Sequence, residues 1–330
     1  MKKRSDGRYE QVITINGKRK TFYGRTQREI NRKIYEYKGE VEKGVLFSVI
    51  ANEWRANHME KLSYGTQRSY SAPFLRILQA FGDKYINEIS RKDVQSFLSS
   101  LNMSFKSVST HKTIISQIFF YSIVEYGMEI PNPCDTIKID SRLPKSHRQQ
   151  ATPEQEQAIL NTKADEFILA PLIYYTGCRC GEALALRYGD IDFINKTISI
   201  SRSVSHHGNQ PVIGSPKTAT AVRVVPLLPQ LEELIGTGEP NYYIIGGEKP
   251  ITKSMLDKRW KRWEKQHGVR IDRHSIRHTY ATKLYEAGVG IKSSQALLGH
   301  ANASTTLNIY THLNQSHVSE AAEKLKNIIL

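Results

Sequence analysis

The chain is short of cysteine, of acid and of long apolar runs, and each shortage closes a class of function. Cys134, Cys178 and Cys180 are its three cysteines in 330 residues. An odd, sparse count gives no disulfide framework and suits a reducing compartment, so a cytoplasmic protein is expected. Cys178 and Cys180 are not spaced as C-x-x-C and no second pair exists, so no zinc or other metal site is expected. No run of eighteen apolar residues occurs, which excludes a membrane-spanning helix. The opening "MKKRSDGRYEQ" is basic but lacks the apolar stretch of a secretory signal. No G-x-x-x-x-G-K-[ST] loop is present, so no nucleotide cofactor is expected, nor any other. Acid is the scarcest class relative to its counterpart. Asp and Glu number 32 against 47 Lys and Arg, for a net charge of +15. In "LLGHANASTTLNIYTH", residues 297–312, no carboxylate stands between His300 and Tyr310. A basic chain without a membrane segment usually meets a polyanion; the alternative is a protein merely soluble and basic.

What is present reads as a multidomain, mainly α protein. Residues 1–45 carry thirteen Lys or Arg against six acids. Within them "YEQVITI" and "KRKTFYG" are strand-like, and Asn16-Gly17 between them suits a two-residue type I′ turn. Thr26-Gln27-Arg28-Glu29 has the form of a capping box opening a helix. This small ββα-type unit, with room for a further strand before Arg8, is expected to enter a DNA groove. Lys18, Arg19, Lys20 and Arg25 are its candidate DNA-binding residues. A solvated basic appendage is the plainer alternative. Residues 46–145 form an all-helical domain, with "FSVIANEWRANH", "YGTQRSYSAPFLRILQAFG", "SRKDVQSFLSSL" and "SVSTHKTIISQIFFYSIVEYG" each apolar at helical spacing. "KIDSRLPKSHRQQ", residues 138–150, reads as an interdomain linker. Residues 146–330 form a mixed α+β domain. Thr152-Pro153-Glu154-Gln155 caps its first helix, "FILAPLIYYTG" is a buried helix ending at Gly177, and "INKTISISRS" and "TAVRVVPL" are strands.

The chemistry of this domain follows from residue types. Breaking a DNA strand without metal needs permanent cations on the phosphate oxygens, a nucleophile, and an acid for the departing oxygen. "TGCRCGEALALRYGDID" places Arg179 after a glycine-terminated helix. Alone, Arg179 is equally explained by a buried ion pair to Glu182 or Asp192. "SPKTATAVRVVPL" places Lys217 at the entrance to a strand, where a solvated lysine is the plain alternative. "RHSIRHT" puts His274 and Arg277 three apart on one helical face. His300 follows a helix-ending glycine, and Tyr310 sits on the next helix, which Ser304 can cap. "KRWKRWEK", residues 258–265, is either a cationic surface or a helix with Trp260 and Trp263 turned inward.

Together these stretches resemble the tyrosine recombinases of the phage-integrase class, across most of residues 170–313. Tyr188 stands where that family often has Trp, and Ala221 where Ser is frequent. The resemblance implies a core-site-binding helical domain, an arm-site-binding N-terminal unit, and a catalytic domain. It implies Tyr310 as the nucleophile forming a 3′-phosphotyrosine, and Arg179 and Arg277 as phosphate ligands. It gives Lys217 as the general acid, His274 as a proton acceptor and His300 as a further phosphate contact. It implies double-stranded DNA with core and arm sites as partner, a homotetramer on DNA, and an excisionase or a DNA-bending host factor as accessories. The C-terminal helix after Asn314 would dock on a neighbouring protomer or on its own domain. A chromosome-dimer-resolution recombinase, a type IB topoisomerase and a non-catalytic DNA binder are the competing readings.

Overall fold

The computed structural model describes residues 2–15, 18–34, 44–145, 149–215, 219–300 and 307. The Asn16-Gly17 turn, Lys217, Tyr310 and the helix after Asn314 lie outside them. The chain divides into two compact units, Met1–Ser146 and His147–Leu330. Among the described residues no helix is long and apolar enough to cross a membrane.

In the first unit β1 (Lys2–Lys3), β2 (Tyr9–Ile15) and β3 (Lys18–Gly24) form an antiparallel sheet in that order. β1 is the further strand expected before Arg8. Pairing of Gln11 with Phe22 and Ile13 with Lys20 sets the register. Alternation then turns Tyr9, Ile13 and Phe22 to one face, where they meet Ile30 and Ile34 of α1 (residues 27–34). The cap of α1 differs from the expected box in one respect. Thr26 accepts the Glu29 N–H at 3.1 Å, but the Glu29 carboxylate takes the N–H of Arg25, one residue upstream.

Four longer helices follow: α2 (Phe47–His58), α3 (Tyr64–Phe81), α4 (Arg91–Ser100) and α5 (Phe105–Tyr126). Each carries its apolar residues at helical spacing, and they pack around Phe47, Trp54, Phe74, Ile77, Ile114, Ile118 and Phe119. Ser90 and Asp93 close a reciprocal capping box on α4, and Gly127 ends α5 in the left-handed conformation. The stretch read as a linker is only partly one. Ile139 and Leu143, with Ile137 just ahead of the stretch, join this core, Lys112 Nζ donates to the Ile137 carbonyl at 2.6 Å, and Phe105 N–H donates to that of Pro144. Three apolar residues among lysines and arginines suffice to dock a segment when its carbonyls also find donors.

The second unit opens with α6 (Pro153–Leu160), whose Thr152–Gln155 capping box is complete. α7 (Leu169–Thr176) is almost wholly buried and ends at Gly177; α8 (Cys180–Ala183) follows at once. β4 (Ile191–Asp192), β5 (Thr197–Ile200) and β8 (Arg223–Pro226) make one antiparallel sheet, in the order β4-β5-β8. β6 (Ser203–His207) and β7 (Gln210–Gly214) form a separate hairpin inserted between β5 and β8. Among the described residues of this unit, α9 (Pro229–Ile235), α10 (Lys253–Gln266), α11 (Arg273–Glu286) and α12 (Ile291–Leu298) follow. Trp260 and Trp263 of α10 are buried and stacked at 5.3 Å, so the inward alternative for "KRWKRWEK" holds for both rings, and Lys258, Lys261, Arg262 and Lys265 are left exposed.

Candidate active site around a buried carboxylate

Glu182 is the centre of the site. Its side chain is 2% exposed and three guanidinium groups reach it. Arg179 is the N-cap of α8; its N–H donates to Oε2 at 2.8 Å and its Nη1 to Oε1 at 2.7 Å. Arg223, on β8, donates from Nη2 to Oε2 at 2.9 Å. Arg277, on α11, places Nη1 3.7 Å from Oε2. Burial alone would push this carboxyl up, but the charge and hydrogen bond of Arg223, then the backbone and side-chain hydrogen bonds of Arg179, hold it below the ordinary glutamate value.

The same three arginines fasten the end of α12. Its last-turn carbonyls have no partner within the helix and carry the negative end of its dipole. Leu297 O accepts from Arg223 Nε at 2.6 Å, Leu298 O from Arg277 Nη2 at 2.6 Å, and Gly299 O from Arg179 Nη2 at 3.2 Å. Gly299 takes the left-handed conformation, φ +62°, and a Cβ there would lie 3.0 Å from Arg223 Nη1. Gly177 has a parallel role. Its φ is +63°, its carbonyl accepts from Arg277 Nη1 at 2.7 Å, and a Cβ would sit 2.3 Å from the Tyr280 ring. Glycine is required at both turns because the chain reverses there against a packed side chain.

His300 follows this turn, buried, with its N–H donating to Gln295 O and its carbonyl accepting from Gln295 Nε2. Burial, and then the charges of Arg277, Arg179 and Arg223, push its imidazole down to about 4, so it is neutral at physiological pH. Arg277 is pushed down to about 10, by burial first and then by Arg179, and remains cationic. Three cations facing one carboxylate leave the pocket with positive charge to spare. Planar guanidinium groups suit the oxygens of a phosphate, and Arg179, 40% exposed in its side chain, is the most accessible of the three.

The structure thus brings together three of the six residues read as catalytic: Arg179, Arg277 and His300. His274 stands one turn before Arg277 on α11, exposed, its N–H held by Asp272 Oδ1 at 2.7 Å. Lys217 and Tyr310 are not among the described residues. Of the N-terminal cations, Arg19 pairs with Thr14, whereas Lys20 pairs with Ile13 and lies over Phe22 at 5.8 Å. The two therefore project from opposite faces of the sheet. Lys18 pairs with Ile15 in the backbone register, and Arg25 is exposed at the turn into α1. Sequence reasoning passed over Arg223 and gave Glu182 only as one possible partner of Arg179. A signal existed for Arg223: in "AVRVVP" it shares the inward phase of the strand with Val225, where a charge needs a buried partner.

Comparison with known proteins bears on the family of the chain and on its fold. Residues 150–317 match the phage integrase family, and residues 46–102 match the phage integrase N-terminal SAM-like domain. A tyrosine recombinase XerC-like protein of Caldanaerobacter subterraneus subsp. tengcongensis is 30% identical over 98% of this chain and 96% of its own length. The ICEBs1 integrase of Bacillus subtilis is 25% identical over 91% of this chain and 88% of its own. The integrase of the Tn1549 transposon, solved in complex with transposon right end DNA, superposes with a TM-score of 0.68 at 21% identity, covering 86% of this chain and all of that one. The expected multidomain fold is the one found. With a match across half its length and a relative spanning nearly all of it, the chain belongs to the phage integrase family, the tyrosine recombinases that break and rejoin DNA strands.

Proposed function

We propose that the chain is the integrase of a mobile element, joining and excising element DNA at short target sites. Tyr310 attacks the scissile phosphate to give a 3′-phosphotyrosine and a free 5′-hydroxyl. Arg179 and Arg277 hold the non-bridging oxygens, Lys217 protonates the leaving oxygen, His274 accepts the nucleophile's proton and His300 hydrogen-bonds the phosphate. The ester stores the energy of the broken bond, so the reaction draws on no nucleotide, metal or other cofactor. One observation carries this reading: arginines from three separate elements converge on one buried carboxylate and leave unbalanced positive charge beside a neutral histidine.

Three functional segments are inferred. Residues 1–45 bind arm sites, with Lys18, Arg19, Lys20 and Arg25 as phosphate contacts. Residues 46–145 bind the core site, and residues 146–330 carry the chemistry. The protein works in the cytoplasm as a homotetramer on paired duplexes, with an excisionase and a DNA-bending host factor setting direction. The names of the ICEBs1 and Tn1549 relatives support the mobile-element reading. The name of the XerC-like relative favours a second one, chromosome-dimer resolution. Removing residues 1–45 discriminates: an integrase loses joining to a long element end, and a dimer-resolving enzyme does not. Relaxation of a plasmid without a target site would instead favour a topoisomerase.

The nucleophile is tested on a pool of nicked duplexes of randomised sequence. The wild-type chain is expected to leave a covalent protein–DNA adduct on a subset, and Tyr310→Phe on none. Adducts that persist in Tyr310→Phe place the nucleophile elsewhere.

A further inference from the structure

We propose that Arg223 is a positioning residue for strand cleavage: it holds Glu182 and the 297–299 turn where Arg179 and Arg277 meet the phosphate, without touching DNA itself. The inference rests on the recombinase reading above and adds a residue to its machinery. Arg223 is the most enclosed of the three arginines, with a side chain 5% exposed. All three of its nitrogens donate to protein: Nε to Leu297 O, Nη1 to Ala221 O and Nη2 to Glu182 Oε2, at 2.6, 3.0 and 2.9 Å. A guanidinium spent in this way acts through its neighbours.

The consequence of removing it follows from the distances. Glu182 Oε2 now has Arg223 at 2.9 Å and Arg277 only at 3.7 Å. Without Arg223 the buried oxygen is short of a cation, and Arg277 is the next one within reach. Arg277 would close on Glu182 through Nη1 and give up part of its hold on Gly177 O and, as the guanidinium turns, on Leu298 O, while Leu297 O would lose its donor outright. The turn that fixes Gly299, and through it Arg179, would then loosen. Displacing a phosphate ligand by about 1 Å costs on the order of 100-fold in rate. DNA affinity, which comes from many backbone contacts, would hardly register it.

The test uses the full-length chain and a nicked duplex recovered as cleaved by the wild type from the randomised pool. Adduct formation is followed in single turnover at saturating duplex for wild type, Arg223→Gln and Arg223→Lys. Affinity for the same duplex is measured by titration, folding by thermal melting, and the His300 imidazole by NMR titration of the DNA-free protein. The expected result is about a 100-fold slower reaction for Arg223→Gln, with affinity within about threefold of wild type. Arg223→Lys, which keeps the charge but brings one nitrogen to acceptors that three nitrogens now reach, falls between. The His300 imidazole titrates higher in Arg223→Gln than in wild type, and Arg223→Lys leaves it near the wild-type value. Should Arg223→Gln fail to melt cooperatively, Arg223→Lys carries the comparison. A folded variant that reacts at the wild-type rate overturns the proposal, as does a rate loss fully accounted for by weaker binding. If the wild type itself leaves no adduct on any duplex, the recombinase reading fails and this one goes with it.

Discussion

His111 and His300 occupy different units and share one electrostatic situation. His111, on α5, is buried with Nδ1 against Ser107 O at 2.8 Å, and burial pushes its imidazole down. His300 is pushed down to about 4 by burial and by three arginines. Folded, both take up a proton at lower pH than an unfolded histidine, which does so near pH 6.5. Below that pH the unfolded chain binds protons the folded chain refuses, so stability is complete above about 6.5 and falls with acidification. For His300 the loss amounts to about 3 kcal/mol once pH has dropped to about 4. Denaturation of the DNA-free protein at pH 7, 6 and 5 should show the decline, and His300→Gln should flatten it. Equal slopes in the two proteins would refute the assignment. At this scale the sequence was uneven as a guide. Arg179, Arg277 and His300 could be picked out because a glycine or a shared helical face frames each of them. Arg223 was passed over, because an arginine beside valines looks like the solvated edge of a strand unless its phase with Val225 is weighed. Glu182 was legible only as a candidate ion pair, since nothing local announces that three arginines will find the same carboxylate.

Elements meet in this protein where glycine lets them. α7 and α11 pack across Gly177, whose absent Cβ would fall inside the Tyr280 ring at 2.3 Å. Gly208, in the β6–β7 turn, has nearly the same φ, +62°, and a Cβ there would meet nothing within 4 Å. The two separate backbone strain from steric overlap. Gly208→Ala should cost about 1 kcal/mol, the left-handed penalty alone. Gly177→Ala should cost about 4 kcal/mol or more, since the ring must move or the helices part. Chemical denaturation of both variants decides it, and equal losses would mean that α11 gives way freely. Helix ends marked by Thr152 and Gly177 were readable in advance because capping is local chemistry. The docking of residues 137–144 was not, because its three apolar side chains gain meaning only against a core assembled from helices distant in sequence.

Across the whole molecule the surplus of 15 positive charges sets how DNA binding responds to salt. Each phosphate contact contributes about 0.9 to the slope of log affinity against log salt. Replacing Arg19, Lys20 and Arg25 together by alanine should reduce that slope by between two and three for a duplex bearing arm sites, at little cost in stability. Fluorescence anisotropy between about 50 and 200 mM salt measures it. An unchanged slope would remove the N-terminal unit from the DNA-binding surface.

The fastening of α12 has a consequence for the life of the chain on the ribosome. Arg179 and its acceptor Gly299 are 120 residues apart, and Arg277 and Gly177 are 100 apart. No fragment that stops short of residue 299 can assemble the pocket, so the growing chain closes it only after residues 177–299 have all been made.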